Sequence, residues 1–435
     1  MSGFGFTPEN PDDPEKRDQN PFGFSNFNEI FKQFSGMGLN LQGLLASLSG
    51  QSNPSQLSKQ MIRDISRKFL TAHGELPVSI SDLTGIHEAL NIADIWLNEA
   101  TIFPPTLIPD TCALSRRDWI DSTIAGWELI AQPLVEGISS AMDEMLKENL
   151  GDENQSLAGL GIPISQSGIS AIMGTFMSSM ISTQLGQTIG QLSTTVTGAN
   201  EVALPLLSPI RPYLIPQNVK LWSEGLEIDP NEVRIYLALR ELAAARLFTA
   251  VPWLRDYIQK SIATYGKGIR IDISAMTQQA EEALSSGELD LNNPESLTIA
   301  MSGGMFTPEE SPQQREALEK LETVLALIEG WIDSVIDAAA GSRLPSLSRL
   351  KETQQRRRAT HSPTQQLFAA LVGLEVSPRK IREATAFCSA VAELKDISMR
   401  DQIWEEPYLL PTSDQLSDPQ GFIRGRIVPD DLSSL

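Results

Sequence analysis

Three histidines, His73, His87 and His361, and two cysteines, Cys112 and Cys388, are all the nitrogen and sulfur ligands that 435 residues provide. Zinc sites draw three or four donors from such groups, so a centre built from several histidines is hard to assemble here. His87-Glu88 followed by Asn91 has the first half of an HExxH spacing, in which two imidazoles four residues apart share one helix face, but the second imidazole is absent. His73 lies at the end of a helical stretch, before Gly74, where the helix dipole favours a base. His361 lies before a predicted helix start at Ser362-Pro363, where loop residues often serve function, and nothing in the sequence marks a partner for it. The cysteines stand 276 positions apart, which excludes a disulfide scaffold and any CxxC motif; reduced thiols in a cytoplasmic protein are the plain reading.

The remaining acid–base candidate is Glu241, on the best-defined helix of the chain. That helix starts at Asp229-Pro230-Asn231-Glu232, where Asp229 can cap, Pro230 fits the first turn and Glu232 holds the reciprocal capping-box position; it ends before Pro252. Its apolar stripe is Val233, Tyr236, Leu237, Ala243, Ala244, Leu247 and Phe248, and spacing puts Arg240 on the same stripe. An unpaired buried guanidinium costs several kcal/mol, so a carboxylate or several carbonyls must lie beside it. The adjacent Glu241 points about 100° away and is poorly placed to pair. On a later helix Glu329 flanks the stripe Leu318, Leu321, Leu325, Ile328 and Ile332, and an Arg240–Glu329 pair clamping the two helices is expected.

These residues need a frame, and periodicity supplies one. From Ser55 onward 3.6-residue periodicity dominates and alternating runs are nearly absent, so the fold is predicted to be mostly α with little or no β-sheet. Helices are predicted over 55–73, 81–100, 116–147, 165–195, 230–249, 252–265, 312–340, 345–359, 362–373 and 378–395, with Pro-rich extended connectors at 103–105 and 204–216. Residues 1–54 form a Phe/Gly/Pro-rich leader whose first part is too polar to bury a core and whose second part, with FNEIFKQF and LQGLLASL, could form short amphipathic helices. The domain is expected over 55–422, followed by a C-terminal tail, 423–435.

Charge narrows the partners. With 34 basic against 55 acidic residues the chain carries −21, so naked nucleic acid is not expected as a partner. Two segments depart from that average. From Asn154 to Asn200 there is no charged residue, and Ser170, Gly174, Ser178, Ser182, Gly186 and Gly190 make a ridge of small side chains every four residues. Such a ridge allows very close helix contact; Gln184, Gln187 and Gln191 and the lack of a long unbroken apolar run favour a packed core helix over membrane insertion. From Arg343 to Arg382 nine basic residues face only Glu352 and Glu375, a local +7 within an otherwise acidic chain. An anion-binding patch is one explanation; internal neutralisation is preferred, since no stacking aromatics are interleaved.

VRIYLALRELAAARLFTAVPWLRDYI (233–258), LEKLETVLALIEGWIDSVIDAA (318–339), LKETQQRRRATHSPTQQLFAALVGLEVSPRKIREA (350–384) and the GFGF opening resemble an actinobacterial family of zincin-like hydrolases or zinc-dependent metalloproteases, relatives of a group linked to coenzyme F420 biosynthesis. The resemblance covers most of residues 200–422 and implies a zincin-like helical domain with zinc on HExxH and a third ligand from a later EGH helix. Laid on that pattern, the ligand positions are Arg240, Ala244 and Trp331, Glu241 is the general base, and Glu329 is the one residual oxygen donor. No cofactor is expected; zinc is implied only if the family's activity is retained. Three readings stay open: a degenerate zincin-fold pseudoenzyme that binds a peptide or protein, an active metallopeptidase with unorthodox ligation by Glu329, Asp333 or His361, and an acidic helical scaffold that assembles through its leader.

Overall fold

A computed structural model describes residues 56–150, 166–267, 312–361 and 378–426, nearly all of them within one compact unit built from Asn53–Gly151, Ile169–Ile271 and Pro308–Leu435. The leader, the helix predicted over 362–373 and the last residues of the tail lie outside the described residues. The α-helices are α1 (Lys59–His73), α2 (Ile80–Leu97), α3 (Arg116–Leu150), α4 (Gln166–Ser193), α5 (Pro216–Ser223), α6 (Pro230–Ala250), α7 (Trp253–Lys267), α8 (Pro312–Ala340), α9 (Leu347–His361), α10 (Pro378–Leu394), α11 (Ile397–Asp401) and α12 (Pro419–Arg426). Among the described residues there is no strand; Leu214 alone bridges to Ala113 in parallel and to Gly198 in antiparallel sense. The fold is therefore mostly α, as periodicity requires. No described helix is long and apolar enough to cross a membrane.

Two helices fill the centre. On α6 every residue from Tyr236 to Phe248 is buried, and on α8 every residue from Thr323 to Ile336. A helix buried all round must meet neighbours on several sides: α6 packs on α2 and α8, and α8 also packs on α7 and α10. Asp229 caps α6 through Asn231 N–H at 2.8 Å, with Pro230 in the first turn. Glu232 does not close a capping box; its carboxylate accepts from Ser346 N at 2.9 Å instead, tying the start of α6 to the residue before α9. Helices α5, α11 and α12 are short, eight residues or fewer. Eight residues at most give little periodic signal, and α5 sits behind the prolines that read as an extended connector. Helix α12 crosses the boundary expected at 422, with Ile423 buried.

The ridge of small residues finds its partner in α1. Ser66 Oγ donates to Gly186 O at 2.9 Å, and Ser182 Oγ accepts from Ser58 N at 3.2 Å. A Cβ built at Gly190 would stand 2.7 Å from Phe69 Cβ. Among the described residues several charges of the basic segment find partners within the fold: Lys351 pairs with Asp337 at 2.6 Å and Lys380 with Glu322 at 3.0 Å, Arg343 with Glu99, and Arg349 donates to Leu226 O. Arg357 lies over the Trp222 ring, 5.9 Å from its centroid, and Arg358 turns inward.

Gly190→Ala is expected to lose the gain of about 1 kcal/mol that helix propensity would give and to destabilise the chain by up to about 2 kcal/mol in urea unfolding, because overpacking at a contact of this kind costs about 1–3 kcal/mol. A variant more stable than the unaltered chain by about 1 kcal/mol would mean that α1 and α4 are not in close contact.

Candidate ionic site at the α6–α8–α9 crossing

Arg240 sits midway along the buried length of α6 and is 6% exposed. Opposite it α8 presents Glu329 and Asp333, one turn apart and also buried. Arg240 Nη2 donates to Glu329 Oε2 at 2.8 Å and Nη1 to Asp333 Oδ1 at 2.7 Å. The fourth member comes from α9: Arg358 Nη1 donates to Asp333 Oδ2 at 2.7 Å, while Nη2 donates to Glu329 Oε2 and, at 3.2 Å, to Asp333 Oδ1. Two guanidinium and two carboxylate groups thus interlock with no net charge. Removing one would leave a buried charge uncompensated, which is what makes such a network all-or-none.

The electrostatics follow from that balance. Burial acts to raise Asp333, but Arg358 and Arg240 outweigh it and hold the carboxyl down to about 2. Burial likewise acts to lower Arg240, and Glu329 and Asp333 reverse it, so the guanidinium is more firmly charged than in water. Tyr236, one turn before Arg240, has its phenol pushed up to about 12, chiefly by burial. Its ring lies 6.0 Å from Trp222, whose Nε1 donates to Gln354 of α9 at 3.3 Å.

Glu241 belongs to a different environment. It is buried, and Oε1 accepts from Ala199 N at 3.2 Å, Tyr213 N at 3.0 Å and Asn200 Nδ2 at 2.7 Å, while Oε2 accepts from Asn200 N at 3.0 Å. The carboxylate staples the segment after α4 to the segment before α5. Gly198 makes this possible, since a Cβ there would lie 2.3 Å from Oε2. Burial raises the Glu241 carboxyl from 4.5 to about 7, against the pull of those donors. The contacts of Trp331 are also elsewhere: Nε1 donates to Asp401 Oδ1 at 2.8 Å and the ring lies 5.4 Å from Phe103. Asp401 accepts as well from Thr101 Oγ1 at 2.6 Å, Ile102 N at 2.9 Å and Arg400 Nε at 2.8 Å. Ala244, on the Arg240 stripe, offers a buried methyl group.

The structure therefore brings Arg240 to Glu329 and puts Glu241 and Trp331 on other partners. Sequence spacing overlooked Arg358 and, as a partner of Arg240, Asp333. Asp333 left a signal, since it repeats Glu329 one turn on; Arg358 left none, because Arg357 lies as near the helix face of Leu350 and Gln354 as Arg358 does and spacing does not choose between them.

This donor set does not fit zinc. Zinc needs three protein ligands from imidazole, thiolate or carboxylate, arranged around an open position or a fourth donor. Here the two carboxylates are taken up by guanidinium groups, whose fixed charges repel a second cation. Among the described residues no group of three His, Cys, Asp or Glu side chains could hold a metal. Both thiols are buried, and burial pushes Cys388 up to about 12, which keeps it from becoming a thiolate.

Replacing Arg240 alone by Met is expected to cost about 3–5 kcal/mol in urea unfolding, whereas the quadruple variant Arg240→Met, Arg358→Met, Glu329→Met, Asp333→Leu should recover most of that loss. Additive losses would contradict an interlocked network. Because the folded Glu241 carboxyl lies above its ordinary value, its contribution to stability is present below pH 4.5 and lost as pH rises through about 7. Glu241→Gln should flatten the pH dependence of unfolding over that window; an unchanged slope would contradict the raised value.

Comparison with known proteins follows this geometry. Residues 58–423 match the family model for zincin-like metallopeptidases. A crystal structure titled "putative hydrolase with a novel fold", from Chloroflexus aurantiacus, superposes with a TM-score of 0.54 at 18% identity, covering 86% of this chain and 100% of the other. At that identity the likeness is one of fold. No curated protein matches the chain.

Proposed function

Because the chain belongs to the zincin-like metallopeptidase family, we propose that it keeps the family's helical scaffold and uses it to bind a peptide or protein, as a pseudoenzyme without zinc chemistry. The observation that carries this reading is the closed network of Arg240, Arg358, Glu329 and Asp333. In it two organic cations supply the positive charge that a divalent ion would bring to the same carboxylates, and they cannot be deprotonated away at any physiological pH. On this reading Arg240, Ala244 and Trp331 are degenerate ligand positions, Glu329 is a residual ligand committed to the ion network, and Glu241 is a general-base position turned to a structural task. The functional unit is the 55–422 domain, and two buried, unpaired cysteines support a cytoplasmic location.

A second reading is zinc-dependent hydrolysis with unorthodox ligands. Its support is the hydrolase title of the Chloroflexus aurantiacus protein and the buried Glu241 carboxyl raised to about 7, in the range useful to a general base. Four protein donors already occupy that carboxylate, which leaves it poorly placed to reach a water, so the binding role is favoured.

Elemental analysis separates the two. The full chain, incubated with zinc and dialysed, is expected to retain far less than one equivalent; retention of stoichiometric zinc would overturn the proposal. The variant Arg240→His, Ala244→His, Arg358→Met restores two imidazoles on one α6 face and frees Glu329. It is expected to hold about one zinc per chain, as a His, His, Glu set does. Position 331 is left alone because its indole is engaged by Asp401.

A further inference from the structure

The face that α9 turns to the rest of the unit is unusual for a docked helix. Its buried positions are Leu350, Gln354 and Arg358, spaced one turn apart, and only the first is apolar. The N-terminal end is anchored by Leu350 and by Leu344 just before the helix, both buried. The C-terminal half is held by the Trp222–Gln354 hydrogen bond, by Arg357 over Trp222 and by the seating of Arg358 on α8. When this half swings outward Arg358 is hydrated and the seat opens to water or to another cation, so the carboxylates are not left buried and unpaired as they are when Arg358 is deleted. Few buried apolar contacts are the general mark of segments that open below the threshold of global unfolding.

The seat itself is shaped for one chemical group. Asp333 receives both terminal nitrogens of Arg358, at 2.7 and 3.2 Å, as a fork, and Glu329 receives one of them again. Arg240 closes the far side and is bound to both carboxylates. The third donor of Arg358, Nε, has no acceptor although the residue is 7% exposed. The seat thus serves the terminal face of a guanidinium and leaves the inner edge of its present occupant unsatisfied. Without Arg358 it would hold two carboxylates against one guanidinium, a net charge that attracts a cation, repels phosphates and carboxylates, and offers a planar fork where an ammonium makes only point contact.

We propose that Glu329, Asp333 and Arg240 form a socket for an arginine side chain, which Arg358 fills from within the chain. An arginine of a basic partner peptide takes its place when the C-terminal half of α9 swings outward. This rests on the reading of the chain as a binding protein and names the chemistry of the partner.

Two measurements on the full chain test it. First, Arg358→Ala is melted with N-ethylguanidinium, with ethylammonium and with sodium chloride at equal ionic strength. Ethylguanidinium at millimolar concentration is expected to restore several degrees of the lost Tm while the other two do not; equal responses would overturn the socket. Second, hydrogen exchange of residues 353–361 in the unaltered chain is followed with an arginine-rich peptide and with its lysine counterpart. The arginine peptide is expected to speed exchange there severalfold and the lysine peptide is not. Exchange that occurs only with global unfolding, whichever peptide is present, would overturn the displacement, and this arm decides even if Arg358→Ala fails to fold. Zinc retention by the unaltered chain together with selective rescue by ethylguanidinium would defeat the pseudoenzyme reading and leave the socket standing. A zinc-free chain without selective rescue would do the reverse.

Discussion

Two guanidinium groups facing two carboxylates in a space closed to water is the constraint on which the centre of this molecule depends. Each carboxylate touches both arginines, so the four charges are satisfied together or not at all. The three helices that bring them, α6, α8 and α9, have their relative rotation fixed by it. A shift of one residue in any of them would carry a charge about 100° around its helix and into apolar surroundings. The network adds little net stability over an apolar core of the same shape; what it fixes is which arrangement of these helices is permitted.

The neighbouring polar nodes obey the same logic with different partners. Arg246, fully buried on α6, donates to Asp94 Oδ1 at 2.6 Å and Asn98 Oδ1 at 2.7 Å, tying α6 to the end of α2. Asp401 ties Trp331 to the segment after α2, and Glu241 reinforces the Gly198–Leu214 bridge between two otherwise irregular segments. Residues 240 and 241 are adjacent yet serve unrelated structures, because successive helical side chains diverge. That divergence lets one face of α6 carry the ion network while the face of Glu241 holds the loops in place.

Much of this was legible in the sequence. The 3.6-residue period gave the long helices within a few residues at most ends, and the small-residue ridge pointed to a close helix contact, whose partner, α1, comes from the structure alone. Arg240 on an apolar stripe demanded a carboxylate or several carbonyls beside it by energetics alone, and Glu329 is in contact with it. What spacing could not supply was the fourth member of the network. Arg358 lies in a run of three arginines on a helix with almost no apolar pattern, and only tertiary contact tells which of the three points inward. Glu241 was equally opaque, since its partners are backbone N–H groups that carry no sequence signature. In the triplet Glu329-Gly330-Trp331 the third residue stands about 200° around α8 from the first, so its indole reaches Asp401, a partner that no spacing in the sequence points to.

The central claim, that fixed arginine charges hold the α8 carboxylates ionised and paired, is tested most directly by the carboxyl carbon resonance of Asp333. Its signal, assigned by comparison with Asp333→Asn, would be followed by carbon-13 NMR through an acid titration and again with added zinc. The account predicts a midpoint of about 2 and no response to zinc. A midpoint in the ordinary carboxylate range, or a shift on adding zinc, would contradict it.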